Sequence, residues 1–281
     1  MKTQRIKKIL QEILEEDDAP RDITASLTPN RRVKAVVRAN NSGILAGVEE
    51  IHLLCELAHI TITKTLSDGD HISEGEIVFE LEGMSQTILS TERSLLNLLS
   101  LMSGVATLTH HYVELAHKVN PNVRIAATRK TLPLLRYFQK KAVKIGGGDP
   151  HRKSLADAVL IKDNHLKLFK GVREAIRIAK ENVSFTHKIE IEVNTISQAI
   201  EAAEEGADII MLDNMSPEQI KETINELKKR NLRDRVILEA SGGVTEENIQ
   251  DYASSGVDVI SLGVITHSAP SLDFSLTIQP K

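Results

Sequence analysis

The chain has 281 residues, 41% of them hydrophobic, 26% charged and 3% aromatic, with a formal net charge of −4. That length suits a barrel plus a smaller domain, and that composition suits a packed core with little disorder. Scarce aromatics, no Trp and a negative balance argue against nucleic-acid binding by base stacking or by a global basic field, so an anionic ligand would need a local basic pocket.

The N-terminal stretch places Ile6, Ile9, Leu10, Ile13 and Leu14 at helical spacing between charged faces. This predicts a helix over 3–15 and not the apolar core of a signal peptide. No apolar run is long enough to cross a bilayer, so a cytoplasmic location is expected. Pro20 to Thr24 reads as a loop, 33–39 as a strand and 47–58 as a helix. Strands are expected near 60–66 and 76–82, bracketed by the turn signals Asp68-Gly69-Asp70 and Gly75. Cys55, the single cysteine, sits in an apolar run and reads as a buried, inert thiol. No intramolecular disulfide is possible, as befits a reducing compartment. Residues 88–118 carry Leu95, Leu98, Leu99, Met102, Val105, Leu108 and Val113 at steps of three and four, which predicts a long helix, bent at Ser103-Gly104. Residues 1–120 thus form an α+β domain, to which a C-terminal helix is expected to return.

From Pro121 the pattern becomes a strand–helix alternation. Strands are expected at 123–127, 142–146, 157–161, 188–193, 207–212, 235–240 and 257–262, mostly short apolar runs suited to burial on both faces. Helices are expected near 134–140, 170–182, 195–205, 216–230 and 245–255. Seven such strands argue for a parallel α/β barrel over 121–270, open or incomplete. No Gly-x-Gly-x-x-Gly opens the first unit, which counts against a dinucleotide-binding sheet.

Reactive groups of such barrels gather at the C-terminal ends of the strands. Here those ends carry Arg129-Lys130, Gly146-Gly147-Gly148 with His151-Arg152, Lys162, Glu190 and Glu192, Asp213, Glu239 with Ser241-Gly242-Gly243, and Gly263 with His267. Clustered cations repel unless an anion fills the space between them, so Arg129, Lys130, His151, Arg152 and Lys162 point to a small ligand of at least two negative charges. Alternation along a strand puts Glu190 and Glu192 on one face. Oxygen-only donors suit Mg²⁺, although an ion pair with Lys130 or Lys162 is the competing role, weightiest for Glu190. The glycines after the last two strands suit a phosphate, and Gly146–Gly148 reads as a loop that delivers His151-Arg152. The combination suits transfer of a metal-bound sugar phosphate. Three rivals remain: a phosphosugar isomerase or a Schiff-base aldolase acting through Lys130 or Lys162; a carrier domain around DGDHISEGEIVFELEG, which lacks an attachment Lys; and a scaffold built on the 88–118 helix.

The strings TERSLLNLLSLMSGVATLT, ATRKTLPLLR, KIGGGDPHRKSLADAVLIKDNHL, ADIIMLDNM, LEASGGVTEENI and SLGVITHSAPSLD resemble the quinolinate phosphoribosyltransferase family over roughly residues 20–275. The resemblance implies an α/β sandwich-like N-terminal domain and an open seven-stranded α/β barrel. It also implies Mg²⁺-dependent transfer from phosphoribosyl pyrophosphate (PRPP) to quinolinate with decarboxylation, and a homodimer with shared active sites. Quinolinate would meet Arg129, Lys130, His151, Arg152 and Lys162, with Arg93 reaching in from the partner subunit. Lys130, Glu192 and Asp213 would be catalytic, the two acids serving Mg²⁺ partly through water. Ser241, Gly242, Gly243, Gly263 and His267 would hold the 5-phosphate. A related branch that accompanies molybdate transport shares the TRKT and GGG-x-x-HR strings; Lys162-Asp163-Asn164-His165 favours the quinolinate enzyme.

Overall fold

The structure, a computed structural model, describes residues 2–279. Its strands are β1 (Arg32–Ala39), β2 (Gly43–Ile44), β3 (Thr61–Thr65), β4 (His71–Ile72), β5 (Ile77–Met84), β6 (Arg124–Ala127), β7 (Val159–Ile161), β8 (Ile189–Val193), β9 (Ile209–Asp213), β10 (Ile237–Ser241), β11 (Val259–Leu262) and β12 (Phe274–Ile278). Its α-helices are α1 (Lys2–Glu16), α2 (Ile23–Ser26), α3 (Val48–Leu57), α4 (Ser85–His117), α5 (Arg136–Ile145), α6 (Asp163–Leu166), α7 (Val172–Asn182), α8 (Ile196–Glu204), α9 (Pro217–Lys229), α10 (Ile249–Ser254) and α11 (Val264–His267). Two compact units result. One holds residues up to His110, Leu132–Gly147 and everything from Ser268 onward; the other holds His111–Thr131 and Gly148–His267.

The first unit is built on an antiparallel sheet in the order β12-β1-β5-β3. β1 lies inside it, and Val33, Ala35, Val36, Val37 and Ala39 are accordingly buried. Ile6 and Leu10 of the amphipathic α1 are buried as well, and α1 packs against α3. Cys55 is buried, and desolvation pushes its thiol pKa up to about 12, which keeps it unreactive. Glu50 is fully buried, and Lys141 Nζ lies 2.9 Å from it, 2.6 Å from Glu49 and 3.7 Å from Asp68. The cation answers a charge that burial alone would make very costly.

Three expectations are corrected here. The run 142–146 is no strand: it completes α5, whose Phe138, Gln139, Ala142 and Val143 are buried at helical spacing. A four- or five-residue apolar run carries no period of its own, so helix and strand look alike in it. The segment that returns to the N-terminal sheet is β12, not a helix, because β1 offers a free edge that an extended segment satisfies. The long helix α4 runs unbroken through Ser103-Gly104. Gly104 is there for space: a Cβ at that position would lie 2.1 Å from the Pro270 carbonyl oxygen.

The second unit is a parallel sheet in the order β6-β11-β10-β9-β8-β7. It has six strands instead of seven. Where the missing strand belongs, Asp149 makes a single parallel bridge to Ala126 on the free edge of β6, and no pairing among the described residues joins it to β7. The barrel is therefore open. The Gly-x-Asp segments before β9 and β11 repeat one device: Asp208 accepts from the Ile189 amide at 2.8 Å and Asp258 from the Leu238 amide at 2.7 Å. Each ties the start of a neighbouring strand and sets the register that decides which side chains reach the top. Ser216 and Gln219 form a reciprocal cap at the start of α9, with Pro217 in the first turn.

Gly104→Ala should lower the free energy of unfolding by about 1–3 kcal/mol, the usual cost of overpacking, in denaturant titrations followed by circular dichroism.

Candidate active site

The strand ends of the second unit enclose a cavity of about 750 Å³. It is lined by Arg129, Lys130, His151, Arg152, Lys162, Glu192, Asp213, Ser241, Gly242, Gly243, Gly263 and His267, which are the residues given roles by the family resemblance except Arg93; Glu190 and the Gly146–Gly148 turn lie outside the lining. Arg93 belongs to the other unit, on an exposed face of α4, and is not among the lining residues. The cavity also takes in Glu239, Asn214, Leu160, Met211 and Ser261. Glu239 stood at a strand end in the sequence without a role. Ser261 could have been found as a polar residue inside the apolar run of β11.

The cationic side follows from the loops after β6 and β7 and from the Asp149 segment. Arg129 follows β6, and its Nε is buried without an acceptor. His151 has φ 50°, a conformation disfavoured for a residue with a side chain, and its amide donates to Asp149 Oδ1 at 2.7 Å. Arg152 follows it. Desolvation holds the Arg152 guanidinium below its ordinary range; Glu190 opposes that shift, Arg129 adds to it, and Asp157 and Glu239 oppose it more weakly. Lys162 follows β7, and its amide donates to His165 Nδ1 at 2.9 Å, so His165 shapes the turn that carries the lysine.

The acids divide. Glu192 lies 2.9 Å from Lys162 Nζ, so the expected ion pair falls on the residue assigned to the metal, not on Glu190. Glu190 is fully buried beside His151 and Glu239 instead, with His151 Nε2 at 3.5 Å from Glu190 and 3.2 Å from Glu239. Burial, then the Glu239 charge, push the Glu190 pKa up to about 7 against the pull of His151, Arg152 and Lys162. Asp213 ends β9, and its pKa is raised by burial and then by Glu192, while a hydrogen bond from Asn214 Nδ2 at 2.8 Å works the other way. Two adjacent hard-oxygen carboxylates, Glu192 raising the proton affinity of Asp213, fit a divalent cation that keeps water and substrate oxygens as its other ligands.

The glycine turn after β10 is held by close approach. Gly242 has φ 85°, and a Cβ there would meet Asn214 Oδ1 at 2.3 Å. The helix that follows starts at Ile249, not near Thr245, so the Ser241–Gly243 turn borders the cavity ahead of any helix end. A second cavity of about 680 Å³ shares Glu192 and Asp213 with the first and is lined by Lys167, Lys170 and Asn194.

An open parallel barrel whose mouth combines clustered cations, a carboxylate pair and a glycine turn defines a binder of small polyanions. Comparison with known proteins narrows the class. The family model of the quinolinate phosphoribosyl transferase N-terminal domain matches residues 22–103, and that of the C-terminal domain matches residues 105–277. The chain belongs to the quinolinate phosphoribosyl transferase family. It is 50% identical over 275 residues to a probable carboxylating nicotinate-nucleotide pyrophosphorylase of Methanocaldococcus jannaschii, covering 96% of each chain. It is 49% identical over 257 residues to the protein of the same description from Archaeoglobus fulgidus, covering 92% of this chain and 98% of that one. The solved nicotinate-nucleotide pyrophosphorylase of Francisella tularensis superposes with a TM-score of 0.92 at 35% identity, covering 98% of this chain and 96% of the other.

Because Glu190 keeps its proton to about pH 7 when folded and to about 4.5 when unfolded, its contribution to stability is present below that window and lost as pH rises through it. Glu190→Gln should therefore flatten the decline of unfolding free energy between about pH 5 and pH 7 relative to the wild type, in urea titrations across that range.

Proposed function

We propose that the chain transfers the ribose 5-phosphate unit of PRPP to the ring nitrogen of quinolinate and releases CO₂, giving nicotinate mononucleotide and pyrophosphate for NAD biosynthesis. The observation that carries this reading is the buried Arg129 Nε without an acceptor, in a cavity that Lys130, Arg152 and Lys162 also line. A buried donor of that kind needs a partner, and a dicarboxylate supplies it with the right charge.

Arg129 and Arg152 pair the two ring carboxylates, and Lys162 stands beside them, linked through Glu192 to the sugar end. The ring nitrogen attacks C1 of the ribose as the bond from C1 to the pyrophosphate oxygen breaks. Glu192 and Asp213 would hold Mg²⁺, whose chemistry there is neutralisation of the leaving group. Lys130 extends the positive field toward the same end. The second cavity, with Lys167 and Lys170, leaves room for the departing pyrophosphate. The Ser241–Gly243 turn, Gly263 and His267 would take the 5-phosphate. No side chain needs to form a covalent bond, so orientation and preorganised charge provide the acceleration. Once alkylated, the pyridinium ring stabilises negative charge at C2. The carboxylate there leaves as CO₂, and C2 takes up a proton. A Schiff-base aldolase would need an uncharged lysine, whereas Lys162 is ion-paired.

The working unit is a homodimer in this reading, with Arg93 of one protomer completing the other's pocket. Exposed apolar side chains, Ile23 at 78% and Leu27 at 81%, support a covered surface on the first unit. The protein acts in the cytoplasm; no helix of the described residues is long and apolar enough to cross a membrane.

With Mg²⁺ and PRPP, quinolinate should yield nicotinate mononucleotide and CO₂, with little turnover of nicotinate. Turnover of nicotinate alone would overturn the dianion pocket, and turnover of neither would overturn the reading. Arg152→Ala should weaken quinolinate binding by about 2–5 kcal/mol in calorimetry, as loss of a buried charge partner does.

A further inference from the structure

Beneath the cationic side of the cavity, next to His151, lie two buried acids that the proposed chemistry does not use. Glu190 on β8 and Glu239 on β10 are 0% and 1% exposed, and their carboxylate oxygens and His151 Nε2 all lie within 4.8 Å of one another. Three bonds define how the imidazole is held. Nδ1 accepts from the Arg152 backbone amide at 2.7 Å. Nε2 faces Glu239 Oε2 at 3.2 Å. Glu239 Oε1 accepts in turn from the Ser261 hydroxyl on β11. An imidazole nitrogen that accepts a hydrogen bond carries no proton, so the proton resides on Nε2 and points at Glu239. Both ring nitrogens are thus committed to protein partners.

We propose that Glu239 is a positioning residue for the carboxylate-binding cations, acting through His151, with Glu190 packed behind it. The chain of contacts runs Ser261–Glu239–His151–Arg152. It begins on two paired strands of the sheet and ends at the peptide that carries the guanidinium. That peptide needs fixing, because it follows a residue in the left-handed region at φ 50° and stands where the sheet has only a one-residue bridge in place of a strand. Ladder hydrogen bonds of β7 run up to Ile161, next to Lys162, whereas the Arg152 guanidinium has one long bond, from Nη1 to the Ala158 carbonyl at 3.4 Å, and no strand beneath it. The Glu239–His151 strut takes over that task. The buried acids also offset cationic charge next to Arg152, which feels both of them. Without them, Arg129 and Arg152 would repel each other in the empty pocket and splay apart before the substrate arrives. This inference rests on quinolinate being the ligand of the cationic pocket, but the state of the strut can be read without any ligand.

The test combines two measurements on the full-length protein. In ¹⁵N-histidine-labelled protein, with the His151 signals assigned by their loss in His151→Asn, the wild type should show a neutral ring protonated at Nε2. Glu239→Leu should abolish that fixed tautomer, and Glu239→Gln, which keeps an acceptor, should retain it. By calorimetry, Glu239→Leu should weaken quinolinate binding by about tenfold while PRPP binding stays within about twofold, and Glu239→Gln should restore most of the loss. Should Glu239→Leu not fold, Ser261→Ala, which loosens the carboxylate from the other side, should shift quinolinate affinity in the same direction by a smaller factor. A ring protonated at Nδ1 in the wild type, or unchanged quinolinate affinity in folded Glu239→Leu, would overturn the proposal. If the wild type fails to bind quinolinate, the proposed substrate is wrong, and the tautomer alone then decides the strut.

Discussion

Charge compensation inside a narrow parallel barrel is the constraint on which the rest of this structure depends. Its mouth gathers Arg129, Lys130, Arg152 and Lys162 in one cavity, and like charges at such density are tolerated only with anions among them. The protein supplies part of that anion itself. Glu192 neutralises Lys162 across the top, while Glu239 sits below, buried against His151, and offsets the charge of Arg152. The remainder, marked by a buried Arg129 nitrogen without an acceptor, is left for a ligand. A pocket compensated in part can exist empty and still bind a dianion.

The strand geometry decides which acid does which job. Glu190 and Glu192 point to the same side of β8, two residues apart, yet one is sealed against Glu239 and the other reaches the cation of the neighbouring strand. Depth along the strand separates them. The deeper carboxylate holds its proton nearly to neutrality because burial and a second carboxylate both disfavour its charge. The shallower one stays paired and close enough to Asp213 to raise that residue's proton affinity. Asn214 links this acidic end to the glycine turn after β10, since its side chain donates to Asp213 and occupies the space that a Cβ on Gly242 would need.

Much of the fold was legible because buried parallel strands write short apolar runs and amphipathic helices write a period of three to four. β6 and β8 to β11, and helices α7 to α9, fall within a few residues of their expected places. The failures share a cause. Residues 142–146 were too few to show a period, so the burial of Phe138 and Gln139 one turn earlier, which only packing reveals, decided for helix. Gly104 looked like a bend because local sequence cannot show Pro270 arriving from 166 positions further along the chain. The partners of α5 and β12 in the first unit are likewise long-range contacts.

By itself, the sequence determined the alternation of strand and helix, the polar residues that end each strand and the family to which their order belongs. These are local properties, set by side-chain polarity at fixed spacing along the backbone. Only the tertiary structure decided that the ion pair falls on Glu192, that His151 is braced from below, that Glu239 and Ser261 belong to the site and that the barrel has six strands with one bridging residue. Each of these depends on how far a side chain lies from groups on other strands. Coulomb interactions and desolvation vary steeply with such distances and with burial, and neither is written in the order of residues.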